Sequence, residues 1–118
     1  QGYVKEAERY YRHVLQINRN NVDALCQLGT LLASQSAEGY NDEAETLLST
    51  ALSLRPDDIS VLTNYANILQ DKRKFSQAAK HFKRALDLQP QRSLLYSNYA
   101  ALLWDKYQEE REQGREDK

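Results

Sequence analysis

Between Ile59 and Arg92 the chain carries two apolar stripes of helical period, separated by a short basic run and closed by a proline, and segments on both sides copy this 34-residue pattern. Neither helix of such a hairpin buries its stripe alone, so a chain built from copies has to stack them. In the first half of the unit, Leu62, Tyr65, Ala66 and Leu69 recur at intervals of three, one and three, which sets them on one face of a helix over Ile59 to Asp71. Asp58 is placed to cap that helix, its carboxylate accepting from the free N–H groups of the first turn. Lys72, Arg73 and Lys74 fall where positive charge meets the unsatisfied carbonyls at the helix end. Phe75 opens the second stripe, Ala78, Phe82, Ala85, Leu86 and Leu88, and Pro90 closes it, because proline cannot continue a helix and pushes Gln89 out of the helical region.

The copies define the rest of the chain. Leu25, Leu28, Gly29 and Leu32 precede the first stripe by 37 residues, and Tyr96, Tyr99, Ala100 and Leu103 follow it by 34. The second stripe recurs as Ala44, Leu48, Ala51, Leu54 and Pro56, and again as Ala7, Tyr11, Val14, Ile17 and Arg19. This divides the sequence into a second helix of a truncated repeat (1–21), a repeat with a three-residue insertion (22–58), a complete repeat (59–92), a further first helix or capping helix (93–113) and a disordered tail (114–118). Gly2 and Val4 read as an inter-helix turn, so the chain is expected to be a fragment of a longer array. Asn21 caps a helix from Val22 to about Ser36, and a second runs from about Asp42 to Leu54 with Asp42, Glu43 and Glu45 favoured in its first turn. The insertion lies within Ser34 to Tyr40 and is expected to lengthen the helix or its turn, the alternative being a recognition loop. A last helix begins at Ser93 and reaches about Glu110, ended by Gly114.

A unit with Leu or Tyr followed by a small residue, an aliphatic, a later Ala, an aromatic, a second Ala and a terminal Pro resembles the tetratricopeptide repeat. Leu28-Gly29 with Leu32, Ala44 and Pro56 is one match; Tyr65-Ala66 with Leu69, Ala78, Phe82, Ala85 and Pro90 is the fuller one. The resemblance covers roughly residues 2–107. Leu or Tyr stands in place of the family's common Trp, Ala replaces Gly twice, and Arg19 replaces the first Pro. The resemblance implies an all-α fold, an α-solenoid of antiparallel helix-turn-helix hairpins with about six helices in a right-handed superhelical stack. It also implies a protein-interaction scaffold without catalysis.

Composition narrows the function classes. With 41% hydrophobic and 28% charged residues the chain is ordinary for a globular protein, and it has neither a membrane-length apolar run nor a signal-peptide pattern. Its one cysteine, Cys26, excludes an internal disulfide, which agrees with an intracellular, cytoplasmic setting. His13 and His81 lie on different repeats with no nucleophile or carboxylate at triad spacing, and neither a Gly-rich phosphate loop nor a metal-ligand cluster occurs, so no catalytic residue, cofactor or metal is expected. Charge is uneven: residues 22–58 hold one Lys or Arg and seven Asp or Glu, residues 59–92 seven and two. Such a division serves neighbour stacking, or else a basic patch of Lys72, Arg73, Lys74, Lys80, Lys83 and Arg84 takes an acidic protein. Neither nucleic acid, whose phosphates call for a net basic domain where this chain has a net charge of −1, nor a membrane is expected as a partner.

The polar residues of the first helices carry the binding expectation, since in proteins of this family these helices line the concave groove. Gln27, Asn64 and Asn98 hold corresponding places, and Asn67 lies three residues beyond Asn64. A side-chain amide both donates and accepts, so a row of them pairs with the main chain of an extended peptide regardless of its sequence. The row is similar to the asparagine ladder of the tetratricopeptide superhelix in O-linked N-acetylglucosamine transferases, with Gln27 a departure. The expected site is Gln27, Thr30, Asn64, Asn67 and Asn98, with Gln70 and Trp104 toward the groove end; Trp104 otherwise covers the end of the array. A clamp for a peptide C-terminal carboxylate is disfavoured, because Cys26, Thr63 and Ser97 are not basic. Two alternatives stand beside this reading. The terminal helices, through Tyr11, Leu15, Tyr96, Tyr99 and Leu103, join copies head to tail into a homo-oligomer. Or the chain is the substrate-recruiting part of a larger enzyme such as a glycosyltransferase.

Overall fold

The computed structural model describes residues 2–35 and 39–116, with side chains described through Gly114. Six α-helices follow one another: α1 (Gly2–Ile17), α2 (Val22–Ala33), α3 (Tyr40–Leu54), α4 (Ile59–Asp71), α5 (Phe75–Leu88) and α6 (Ser93–Glu116). Each packs on the next in sequence, giving an all-α solenoid of hairpins 52 Å in its longest dimension. α2 also touches α4 directly, whereas no comparable contact joins α3 to α5. The first helices therefore form the inner side of the stack and the second helices the outer side.

Local chemistry sets the helix ends. Asn21 Oδ1 accepts from the Ala24 N–H at 3.0 Å, and Asp58 Oδ1 from the Val61 N–H at 3.2 Å, each supplying a first-turn donor with a partner. α4 stops in a left-handed turn at Arg73, whose φ is 61°. There the Arg73 N–H donates to the Gln70 carbonyl at 2.9 Å and the Lys74 N–H to the Leu69 carbonyl at 2.8 Å, the paired pattern of a Schellman ending. α3 begins after Gly39, whose φ of 87° favours a residue without a side chain.

The core shows why one stripe per helix is too few. In α4, Leu62, Ala66 and Leu69 face α5, as the periodicity indicates, but Val61 and Ile68 are buried as well. Val61 packs with Val22, Leu25 and Ala51, and Ile68 with Leu28, Leu32, Ala44 and Leu48, so this second stripe faces the preceding hairpin. The equivalent stripe of α6 is Leu95 and Leu102, both buried against the α4–α5 hairpin. Tyr96 and Leu103, expected on the α6 stripe, remain about half exposed because α6 turns its Leu95 and Leu102 face to the α4–α5 hairpin instead. Gly29 lets α2 approach α3 closely: a Cβ there would lie 3.1 Å from Leu48 Cγ.

Several expected boundaries shift. Gly2 and Val4 lie inside α1 and form no turn. α2 ends at Ala33, with Ser34 as its C-cap, so the extra residues of this repeat do not lengthen the helix; Ser36, the expected end, lies outside the described residues. α3 starts at Tyr40, two residues before Asp42. α6 continues through Gly114 to Glu116, so the expected tail is helical there, while residues 117–118 lie outside the described part. Ile17, Leu54 and Leu88, the last stripe members of the second helices, are exposed because they sit at the helix ends beyond the packed interface.

Candidate functional site

α2 and α4 bring Gln27, Thr30 and Asn64 to one crevice of about 310 Å³. Gln27 and Thr30 are exposed and Asn64 is half-buried. The crevice is also lined by Asp23, Cys26, Arg55, Asp58 and Ser60, none of which the sequence assigns to the binding site. A signal existed for Asp58: as the cap of α4 it must sit at the helix N-terminus, and that terminus borders the α2 side.

The electrostatics of this crevice lean negative. Arg55 reaches both Asp23 at 3.7 Å and Asp58 at 3.8 Å, so its charge is shared between two carboxylates. Burial, followed by the nearby charges of Asp58 and Asp23, pushes the Cys26 thiol up to about 11, so it is protonated and unreactive at neutral pH.

The other expected site residues lie outside the crevice lining. Asn67 is exposed and Asn98 half-buried, each on the first-helix side. Among the described residues, the side-chain amides of Asn64, Asn67 and Asn98 form no hydrogen bond to another protein group, whereas Gln70 Nε2 donates to Asp105 Oδ2 at 2.7 Å and ties α4 to α6. Trp104 is 60% exposed, its ring 5.7 Å from that of Tyr107.

The expected basic patch is divided. Lys72 Nζ lies 2.5 Å from Asp42 Oδ1 and 2.6 Å from Glu45 Oε1, and Lys74 Nζ 3.1 Å from both oxygens of Glu45. Arg73 reaches Glu109 at 3.4 Å, and Arg84 pairs with Asp57. The charge difference between repeats is thus used largely in joining them, and the cations do not form one patch. Of the terminal-helix residues, Tyr96 and Leu103 are exposed on α6, but Tyr11 and Leu15 are half-buried against the α2–α3 core and Tyr99 against that of α4–α5. The exposed apolar residues of α1 are Tyr3, Tyr10 and Ile17 instead.

No curated protein matches the chain. Among solved structures, a mutant O-GlcNAc transferase of Thermobaculum terrenum is similar at 31% identity and a TM-score of 0.76, over 85% of this chain and 19% of that one. YrrB, described as a TPR protein with an unusual peptide-binding site, is 26% identical with a TM-score of 0.69, over 80% of this chain and 47% of that one. MamA, at 21% identity and a TM-score of 0.74 over 86% of this chain and 57% of that one, shares the fold. The chain thus spans about a fifth of the transferase's length and little more than half of MamA's. The tetratricopeptide repeat family model matches residues 35–103, more than half of the chain and the part that holds the complete hairpin. Stacked hairpins with first helices inward, small residues where the helices meet, and this match place the chain in the tetratricopeptide repeat family.

Proposed function

We propose that the chain is a non-catalytic recognition module that holds an extended peptide along the inner face formed by α2, α4 and α6. The observation that carries this reading is the crevice between α2 and α4, where Gln27, Thr30 and Asn64 converge and Asn64 has no internal hydrogen-bond partner among the described residues. An extended backbone presents alternating donors and acceptors, and amides satisfy both. Asn67 and Asn98 continue the row toward Gln70 and Trp104. The similarity to the transferase's repeat region adds a setting: the recruiting array of a larger enzyme such as a glycosyltransferase.

The test is a diverse peptide array probed with the wild-type chain and with folded Gln27→Ala/Asn64→Ala and Asn98→Ala variants. Each net hydrogen bond is worth about 0.5–1.5 kcal/mol, so the double variant should weaken Kd by roughly 5- to 150-fold. Retention of every peptide by the double variant would sink the reading.

A second reading rests on a separate observation, the apolar strip Tyr96, Leu103, Trp104 and Tyr107 exposed on α6. In it, α6 of one copy receives α1 of the next, head to tail, as a heterologous contact that extends the array. Light scattering across a concentration series tests it: growth in mass that Leu103→Asp abolishes supports the contact, and a constant monomer mass rejects it.

A further inference from the structure

The outer side of the stack carries a second crevice with different chemistry. It lies between the end of α3 and the middle of α5, holds about 370 Å³ and is lined mainly by apolar surface, with Leu52 and Pro56 on its walls and the buried Leu62 beneath. That volume lies within the range of small ligand pockets, about 300–1,000 Å³. His81 forms part of its wall, held by a tilted stack on Tyr65 with ring centroids 4.9 Å apart.

Its rim is cationic. Lys80, Lys83, Arg84 and Asp87 are spaced so that one face of α5 presents all four. Arg84 is paired with Asp57, but Lys80 and Lys83 have no carboxylate partner among the described residues, in contrast to Lys72 and Lys74, which Glu45 holds. The inner crevice is the opposite case, a polar lining beside Asp23 and Asp58. The two surfaces therefore select different ligands.

We infer that this outer crevice docks an acidic peptide segment of a partner protein, an apolar side chain entering between α3 and α5 while flanking carboxylates pair with Lys80 and Lys83. Apolar burial supplies affinity, and the cations set the choice of partner and speed its approach. The chain then holds two segments at once, a backbone-read strand inside and an acidic segment outside, which makes it a bridging module.

The experiment is fluorescence anisotropy of a labelled dodecapeptide in which Asp-Glu pairs alternate with Leu, titrated with the full chain. Loss of two charge pairs in Lys80→Glu/Lys83→Glu should weaken binding at least about tenfold, and Lys80→Gln/Lys83→Gln by less. Both lysines are exposed, and circular dichroism with a thermal melt verifies that the variants fold. The same peptide with Ser in place of Leu should bind about tenfold more weakly, because the crevice then gains no apolar contact. The Gln27→Ala/Asn64→Ala variant should bind the acidic peptide as the wild type does, which separates this surface from the inner groove. Equal binding by the charge-reversed variant, equal binding of the serine peptide, loss of binding in the inner-groove variant, or no binding by the wild type each overturns the proposal.

Discussion

Lys72 Nζ sits 2.6 Å from Glu45 Oε1, and this contact clamps the turn of the basic hairpin onto the second helix of the acidic one. Both side chains are about four-fifths covered, at 19% and 21% exposure, so water screens the pair less than an open surface pair. A double-mutant cycle with Lys72→Ala and Glu45→Ala should give a coupling energy of about 0.5–1 kcal/mol, and one on the more exposed Arg84 and Asp57 about 0–0.5 kcal/mol. Urea denaturation measures both. No coupling at Lys72 and Glu45 would remove the clamp as a source of stability.

The same clamp predicts the acid limb of stability. Hydrogen bonds from Lys72 hold the Asp42 and Glu45 carboxyls below the usual range, and that from Arg12 does the same for Glu43. A depressed carboxyl pKa stabilises the fold fully above the unfolded value, about 4, and the contribution disappears as pH falls through the folded value. Tm should accordingly stay flat from neutral pH to about pH 5 and fall below about pH 4. Glu45→Gln should flatten part of that fall. Lys72, raised chiefly by its hydrogen bond to Asp42, loses its contribution only as pH rises through its own folded value, above the ordinary lysine range.

Adjacent leucines on α6 should behave differently. Leu102 is fully buried against Phe82 and Leu69, while Leu103 is 45% exposed. Leu102→Ala should destabilise the chain by about 2–5 kcal/mol and Leu103→Ala by less than about 1 kcal/mol. Equal effects would mean that α6 is rotated relative to the packing described.

Arg73 holds a left-handed backbone that costs a non-glycine residue about 1–2 kcal/mol. Its exposed pairing with Glu109 returns less than about 1 kcal/mol. Arg73→Gly should therefore stabilise the chain by up to about 1 kcal/mol, a few degrees in Tm. A lower Tm would show that the Glu109 contact outweighs the strain.

Cys26 reports on the inner groove, whose wall it forms. With its thiol pushed up to about 11, alkylation by iodoacetamide at pH 8 should run at least about tenfold slower than for a free cysteine, whose pKa is near 8.5. A peptide seated between α2 and α4 should slow it further. If a peptide that binds leaves the rate unchanged, it lies elsewhere.

The complete hairpin was the most legible part of the sequence. α4 and α5 begin and end where their stripes, the Asp58 cap and Pro90 place them, because local chemistry decides those points. Packing partners were less legible. A helix between two neighbours buries two stripes, and Val61, Ile68, Leu95 and Leu102 stand next to other apolar residues, so period alone could not assign faces. Gly114 has the residue type of a helix stop, yet an isolated glycine only weakens a helix, and α6 passes through it. Of the amide row, helix position could place Gln27 and Asn64 on one side. It could not reveal that Arg55, distant in sequence from Gln27, completes the same crevice, nor that Asp42 and Glu45 hold Lys72 and Lys74 of the turn.

α1 contains no fully buried residue and is held from one side alone, by the α2–α3 hairpin through Tyr11, Leu15 and the Arg12–Glu43 pair, whereas the α2–α5 block is held from several sides. Opening should therefore start at α1 and travel inward, with amide exchange fastest there and slowest in α4. Since α2 loses its outer cover when α1 lifts away, the strength with which the inner groove grips a peptide is tied to how tightly this first helix stays shut.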